Sequence, residues 1–323
     1  MSNSGRKTPR LVADKRTPKS KKKKPAPKRR KAPARRKRTP SRNPIIRLVR
    51  GLFGWLFRIV WGIGWRVTAV VALIVGVAVA YTYTTLPPVN ELLDGRARGS
   101  VTLLDRESEV YAWRGDTFGG VVTAETVSPH LKNAVIATED KRFYMHPGLD
   151  PIGIASAIRI NLSEGRGPLS GHGGSTLTQQ TAKLLCLGVE YDKSEWESEA
   201  DYVADCRRGS LARKAKEAVF AMAMEAKYSK QQILSIYLNR AYMGGGAYGA
   251  EAAAQRYFGK SAGKLTPQES AILAGLLTAP SRLAPTSNLK RSQDRAATVL
   301  RLMNEQGYLS DTETPAAQAN PAT

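Results

Sequence analysis

Cysteine and histidine are scarce, at two and three in 323 residues. Two cysteines exclude a fold stapled by many disulfides, and three histidines argue against a His-built metal centre. Acid is almost missing from the first fifty residues, where Asp14 stands alone against 21 Lys and Arg. The rest of the chain is nearly balanced, so the formal net charge of +23 belongs mostly to one end. The stretch KKKKPAPKRRKAPARRKR also has hardly any apolar residue. That excludes a core of its own, and residues 1–50 are expected to form a disordered, cytoplasmic basic tail. Such a tail suits anionic lipid or nucleic acid, or it serves only to orient a membrane segment. The apolar run beyond it favours the membrane over nucleic acid.

Residues 67–86 (VTAVVALIVGVAVAYTYTTL) carry no charge. Twenty residues of helix span roughly 30 Å, the thickness of a hydrocarbon core. A transmembrane helix is expected there. Residues 51–66 interleave Trp55, Trp61 and Trp65 with Arg58 and Arg66, as befits an interfacial segment at the headgroup level. The positive-inside rule then places the N-terminus in the cytoplasm and the chain beyond Pro87-Pro88 outside it. A cleavable signal peptide is the competing reading, because Ala78-Val79-Ala80 resembles a cleavage site; the long basic region before it argues against that. The folded outer domain is expected over 87–310. The Pro/Ala/Thr-rich end, 311–323, is expected to be a second disordered tail.

Within the outer domain, residues 99–113 alternate enough to predict a short hairpin turning near Asp105-Arg106-Glu107. Helical patterns dominate the remainder. Four stretches are candidates for chemistry. In ATEDKRFYMH, a continuous helix would place Glu139, Phe143 and His146 on one face, where an acid beside an aromatic ring suits a general acid or base; a charged helix end with a packed Phe explains the same residues. GGSTLTQQTAK leads glycines into a helix start, with Thr176, Gln180 and Lys183 on one face. It suits a phosphate, or it is an ordinary N-cap. Arg213 and Glu217 stand four apart, as in a plain helix salt bridge. YLNRAYMGGGAYG interleaves aromatics with glycines and reads equally as a tight turn or a saccharide platform.

Taken together, ATEDKRFYMHPG, GGSTLTQQTAK, RKAKEA, YLNRAYMGGGAYGAEAAAQRYFGK and ESAILAGLLTAPS resemble the five ordered motifs of family 51 glycosyltransferases. These are the peptidoglycan glycosyltransferases, found alone or as the first domain of class A penicillin-binding proteins. The resemblance covers roughly residues 95–305. It implies a mainly α, lysozyme-like domain with a smaller membrane-facing jaw. It also implies polymerisation of lipid II with inversion at the anomeric carbon and release of undecaprenyl diphosphate. Carried over by motif, Glu139 is the base on the acceptor hydroxyl, and Glu217 is a second glutamate near the donor diphosphate, orienting cationic groups or a divalent ion. Lys183, Arg213 and Lys214 bind diphosphate. Asp140, Phe143, His146, Thr176 and Gln180 line the cleft, while Asn239, Tyr242 and Tyr248 hold the architecture. The family requires no cofactor, although Mg2+ or Mn2+ is compatible with it. Its partners are lipid II, the nascent glycan and the inner membrane, with transpeptidases and other cell-wall synthesis proteins beside it. The catalytic domain would be periplasmic.

Two features depart from the family pattern. Leu184 stands where many members carry Asn. The 29 residues between Lys183 and Arg213 exceed the usual spacing and contain both Cys186 and Cys206. In an oxidising compartment these two are expected to form a disulfide. No S-D-N or K-T-G motif accompanies the S-x-x-K matches at Ser20 and Ser261, so no transpeptidase is expected. Two other classes compete: a lytic enzyme of lysozyme type, which would have no diphosphate for Lys183 and Arg213 to hold, and a non-enzymatic membrane scaffold, which would not need Glu139 or Glu217.

Overall fold

The computed structural model describes residues 44–93, 101–104, 106–107, 110–114, 117–168, 170–171, 173–189 and 191–323. The basic tail before Pro44, including Asp14, and the hairpin residue Asp105 lie outside the described residues. The chain divides into two compact units at Ile63/Gly64, inside the first helix.

That helix, α1, runs Pro44–Thr85. The interfacial and apolar segments, expected as separate pieces, are therefore one element. Its portion Leu48–Thr85 is long and apolar enough to cross a membrane. At 1.5 Å per residue those 38 residues span roughly 57 Å, well beyond a hydrocarbon core. Leu86 is buried, Pro87 follows, and a short helix α2 (Val89–Leu93) begins.

Three side chains fasten this junction to the helical domain. Lys227 Nζ donates to the carbonyls of Tyr83 and Leu86 and lies 5.5 Å from the Tyr83 ring centroid. The Tyr228 hydroxyl donates to the Pro87 carbonyl. Arg240 Nε donates to the Leu92 carbonyl at 2.9 Å.

The predicted hairpin is present as β1 (Val101–Leu104) against β2 (Val110–Arg114), antiparallel. A two-residue strand β3 (Thr117–Phe118) pairs in parallel with β4 (Ala247–Tyr248). Everything else that positions the site is helical. The helices are α3 (Pro129–Glu139), α4 (Pro151–Ser163), α5 (Leu177–Leu184), α6 (Glu199–Arg207), α7 (Leu211–Lys227) and α8 (Lys230–Arg240). They continue with α9 (Ala250–Phe258), α10 (Pro267–Leu276), α11 (Pro280–Leu283), α12 (Pro285–Glu305) and α13 (Glu313–Ala319). The mainly helical expectation holds.

Local chemistry sets many of the starts. Thr176, Ser229 and Thr266 each cap a helix and exchange bonds with the Gln or Glu three residues on. Ser128 and Asp150 cap helices whose first residue is proline. Two packed groups form the core: α10 against α3 and α12, and α5 against α7 and α8. Leu131, Ile136, Leu177, Met224, Ile233 and Leu273 are fully buried among them. Asn239 is spent on architecture, accepting from Val122 N at 3.0 Å and donating to Val122 O and Ser235 O. The Tyr242 and Tyr248 rings pack 4.8 Å apart.

Two expectations are corrected. The residues after Glu139 do not continue its helix, so Glu139, Phe143 and His146 do not share a helical face. Asp140 leaves helical geometry at φ −158°, and Phe143–Met145 form a separate 3-10 turn. Pro147 follows His146, which is extended, as the residue before proline prefers. Nor is 311–323 free of structure. Ser310 and Glu313 cap one another, Ala317 is buried, and Gln318 Nε2 donates to the Ala297 carbonyl of α12. Thr314 and Ala317, small enough to pack closely, are the buried residues here, where composition alone suggested a disordered tail.

Candidate active site

Helix α5 is the bar on which the site is built. Its approach is tight: a Cβ on Gly174 would lie 2.7 Å from Ile154 Cα, so only glycine lets the loop pass. Its cap, Thr176, also donates to the Gly148 carbonyl at 2.6 Å. At the first helical residue, Leu177 N donates to the Asp140 carboxylate at 2.9 Å. A carboxylate on a helix N-terminus is a favourable pairing.

One turn along α5, Gln180 reaches Glu139. Its Nε2 donates to Glu139 Oε2 at 2.9 Å, and its Oε1 accepts from the Tyr237 hydroxyl at 3.2 Å. The two bonds fix the amide, because Oε1 must face the phenol and Nε2 the carboxylate. Burial raises the pKa of Glu139 above the usual carboxylate range. The Gln180 bond and the Arg295 charge pull it partly back, and the Asp140 charge pushes it up again. Tyr237 is buried, and burial raises its pKa well above that of an ordinary phenol, with the Glu139 charge adding to the effect. It therefore stays a neutral donor.

Three residues further along α5, Lys183 meets the start of α7. There Glu217 is 1% exposed, with both oxygens occupied. Arg213 Nη1 donates to Oε2 at 2.5 Å and Lys214 Nζ to Oε1 at 2.6 Å. Lys214 also donates to Ser175 Oγ at 2.8 Å, and Arg213 Nε to the Arg208 carbonyl at 2.8 Å. Burial lowers the pKa of Lys183. Arg213, Arg207 and Lys214 lower it further, while Glu217 raises it. Three cations thus gather around one buried acid, leaving an excess of positive charge.

The remaining predicted residues lie beneath this surface. Asp140 and His146 are buried, with His146 Nε2 3.0 Å from the Asp140 carboxylate. Phe143 is fully buried, and Lys230 Nζ sits 4.4 Å from its ring centroid. Lys230 also donates to the His146 carbonyl and pairs with Glu225 at 2.7 Å. Thr176 is buried as a cap. These four hold the floor under Glu139 and α5, whereas Glu139, Gln180, Lys183, Arg213 and Lys214 each keep some exposure. Tyr237 was missed as a site residue. Its only sequence signal was its place at the head of YLNRAY. The expected disulfide is present, joining Cys186 to Cys206 with their Cα atoms 5.3 Å apart.

The family model for transglycosylases matches residues 108–304, a span that holds every residue of this site. The chain belongs to the transglycosylase family. Penicillin-binding protein 1A of Haemophilus influenzae is 40% identical over 225 residues, covering 68% of this chain and 24% of that protein. The Aquifex aeolicus protein of the same name is 36% identical over 261 residues, covering 79% of this chain and 32% of its own length. Penicillin-binding protein 1A of Escherichia coli is 36% identical over 245 residues, with 74% and 26% covered. The chain therefore spans at most about a third of the length of these relatives.

Proposed function

We propose that this transglycosylase-family chain is a peptidoglycan glycosyltransferase that polymerises lipid II. The observation that carries the reading is the pairing along α5: a carboxylate with a raised pKa at one end, and a cation cluster around a buried acid at the other. Glu139 takes the proton from the acceptor 4-hydroxyl as its oxygen bonds to the donor's anomeric carbon. The anomeric carbon–phosphate oxygen bond breaks with inversion. The departing undecaprenyl diphosphate carries away the electron pair, and Lys183, Arg213 and Lys214 stabilise its charge. Glu217 orients Arg213 and Lys214.

The side chains do not fit a protein-held divalent cation. Both oxygens of Glu217 are engaged by cations, and its neighbours are lysines and arginines. Any Mg2+ or Mn2+ would arrive on the diphosphate. The cation cluster also disfavours a lytic enzyme, which has no anionic leaving group to hold.

The long apolar part of α1 supports a single membrane crossing of the inner membrane, with the basic tail at anionic lipid on the cytoplasmic side and the catalytic domain outside. Exposed Met145, Ile152 and Leu162 suit a membrane-facing jaw. The product is uncrosslinked glycan, so a transpeptidase is the class of enzyme that works beside it.

The test is gel analysis of labelled lipid II incubated with the detergent-solubilised chain. A ladder of glycan is expected; no ladder, with short muropeptides released from purified peptidoglycan in a parallel incubation, would establish the lytic reading instead. Tyr237→Phe is expected to slow the polymerisation about fivefold with little change in melting temperature, because it removes one neutral hydrogen bond from Gln180. Steady-state rates for the two proteins check this.

A further inference from the structure

The insertion between Lys183 and Arg213 separates two cations that the diphosphate site needs together. Its path shows how they are kept in register. Two residues after α5 ends, Cys186 bonds to Cys206, the penultimate residue of α6. Among the described residues of the nineteen between them, most of α6 and a small aromatic cluster lie to one side of this route. Trp196 packs 5.1 Å and Tyr191 5.8 Å from the Tyr202 ring, and the Tyr202 hydroxyl donates to the Val189 carbonyl. Through the disulfide, the route from Lys183 to Arg213 becomes two residues, one covalent bridge and six residues. A Cα separation of 5.3 Å is what one or two intervening residues would span.

The tethered end acts directly on the site. Arg208, two residues past Cys206, lends its carbonyl to Arg213 Nε at 2.8 Å. The same guanidinium reaches Glu217 at 2.5 Å. Arg213 is thus aimed from two sides, and one of those sides is held by the disulfide. On the other strand of the clamp, Cys186 and Leu187 occupy the left-handed region at φ 49° and 57°, which β-carbon sterics disfavour. Leu187 packs on the core, and Cys186 is buried. A covalent bond at this point holds a turn that the backbone would otherwise relax.

We propose that the Cys186–Cys206 disulfide is a positioning element of the diphosphate site: it cuts the insertion out of the path between Lys183 and Arg213, aims Arg213 through the Arg208 carbonyl, and makes diphosphate binding depend on an oxidising compartment. The proposal rests on the glycosyltransferase reading for its ligand. Arg207, next to Cys206 and near enough to lower the pKa of Lys183, is brought to the cluster by the same tether.

The experiment uses the full detergent-solubilised chain and two readouts: calorimetric binding of inorganic pyrophosphate, and kcat and KM for lipid II. Four samples are compared: the oxidised protein, the protein after a dithiol reductant, the Cys186→Ser/Cys206→Ser pair, and a shortened chain. Reduction transfers two electrons and two protons, leaving two thiols and the cyclic disulfide of the reductant. In the shortened chain the same serine pair is joined by Gly-Gly in place of residues 187–205.

Reduction is expected to weaken pyrophosphate binding and raise KM about tenfold, with a smaller change in kcat and an unchanged far-ultraviolet spectrum. The serine pair should match the reduced protein with or without reductant. The shortened chain should recover the oxidised values and ignore reductant. A reduced, folded protein that binds pyrophosphate as the oxidised one does would overturn the proposal. If reduction unfolds the protein, the shortened chain decides, and binding as weak as that of the serine pair overturns it. If no sample polymerises lipid II, the glycosyltransferase reading fails, while the pyrophosphate comparison still judges the tether.

Discussion

Glu139→Gln is expected to cut lipid II polymerisation about a thousandfold, the middle of the range that general-base catalysis contributes. The substitution is close to isosteric, and Gln180 Nε2 still finds an acceptor oxygen. The fold should therefore survive. Stability should hold or improve. The pKa of Glu139 is raised on folding, chiefly by burial, so the folded state holds a proton on it more readily than the unfolded chain does. Its ionised form therefore costs stability, and the cost appears as pH rises through the unfolded value and is fully present above the folded one. At pH 8 the variant should melt no lower than the wild type. At acid pH, where both carry a neutral group, the difference should vanish. Scanning calorimetry at the two pH values measures this. Catalysis runs with the opposite sign: the base works only when deprotonated, so the wild-type rate should fall with acidification at a pH above the ordinary carboxylate range. A Glu139→Gln protein that is folded and turns over at the wild-type rate would remove Glu139 from the chemistry.

Glu217→Gln is expected to do the reverse to stability. Glu217 is 1% exposed and compensates two cations, of which Arg213 is largely enclosed and Lys214 is nearly half exposed. Removing one member of a buried pair leaves the other charge without its counter-ion, a loss of about 3 kcal/mol. For a domain of this size that is roughly 10 °C in melting temperature. Polymerisation should fall about a hundredfold as well, because Arg213 and Lys214 lose the group that aims them. Adding Arg213→Gln should cost less than the sum of the two single changes, since the neighbours are coupled. Melting curves of the two single variants and the double variant decide it. Two glutamates of one site thus separate by experiment, one dispensable for folding and essential to chemistry, the other needed for both.

Much of this was legible in the sequence, for reasons that differ by element. A helix cap at Ser175 or Thr176 was readable because the pattern is local, and the structure makes it Thr176. Arg213 and Glu217 paired as their spacing demanded, although spacing did not reveal that Glu217 was buried. The two cysteines found each other because the insertion offered no third. What resisted was whatever depended on distant partners. Asp140 ends α3 because its carboxylate is claimed by Leu177 N, 37 residues on. No periodicity in ATEDKRFYMH carries that. Gln180 meets Tyr237 across 57 residues, so its amide orientation belongs to tertiary packing. Phe143 and His146 read as cleft residues because motif membership does not distinguish the floor of a site from its surface. The C-terminal helix was hidden by composition: Ala317 and Thr314 bury little area each, yet they fit the groove beside α12.

The junction at residues 83–92 has a mechanical consequence. Lys227 and Tyr228, at the end of α7, hold the carbonyls of Tyr83, Leu86 and Pro87, and Arg240, at the end of α8, holds that of Leu92. A helix whose apolar length exceeds the local bilayer leans over to fit it. Under the proposed anchorage, a lean at the end of α1 would reach the helical domain through these bonds. Bilayer thickness would then bear on how the domain meets the lipid-linked substrate proposed for it.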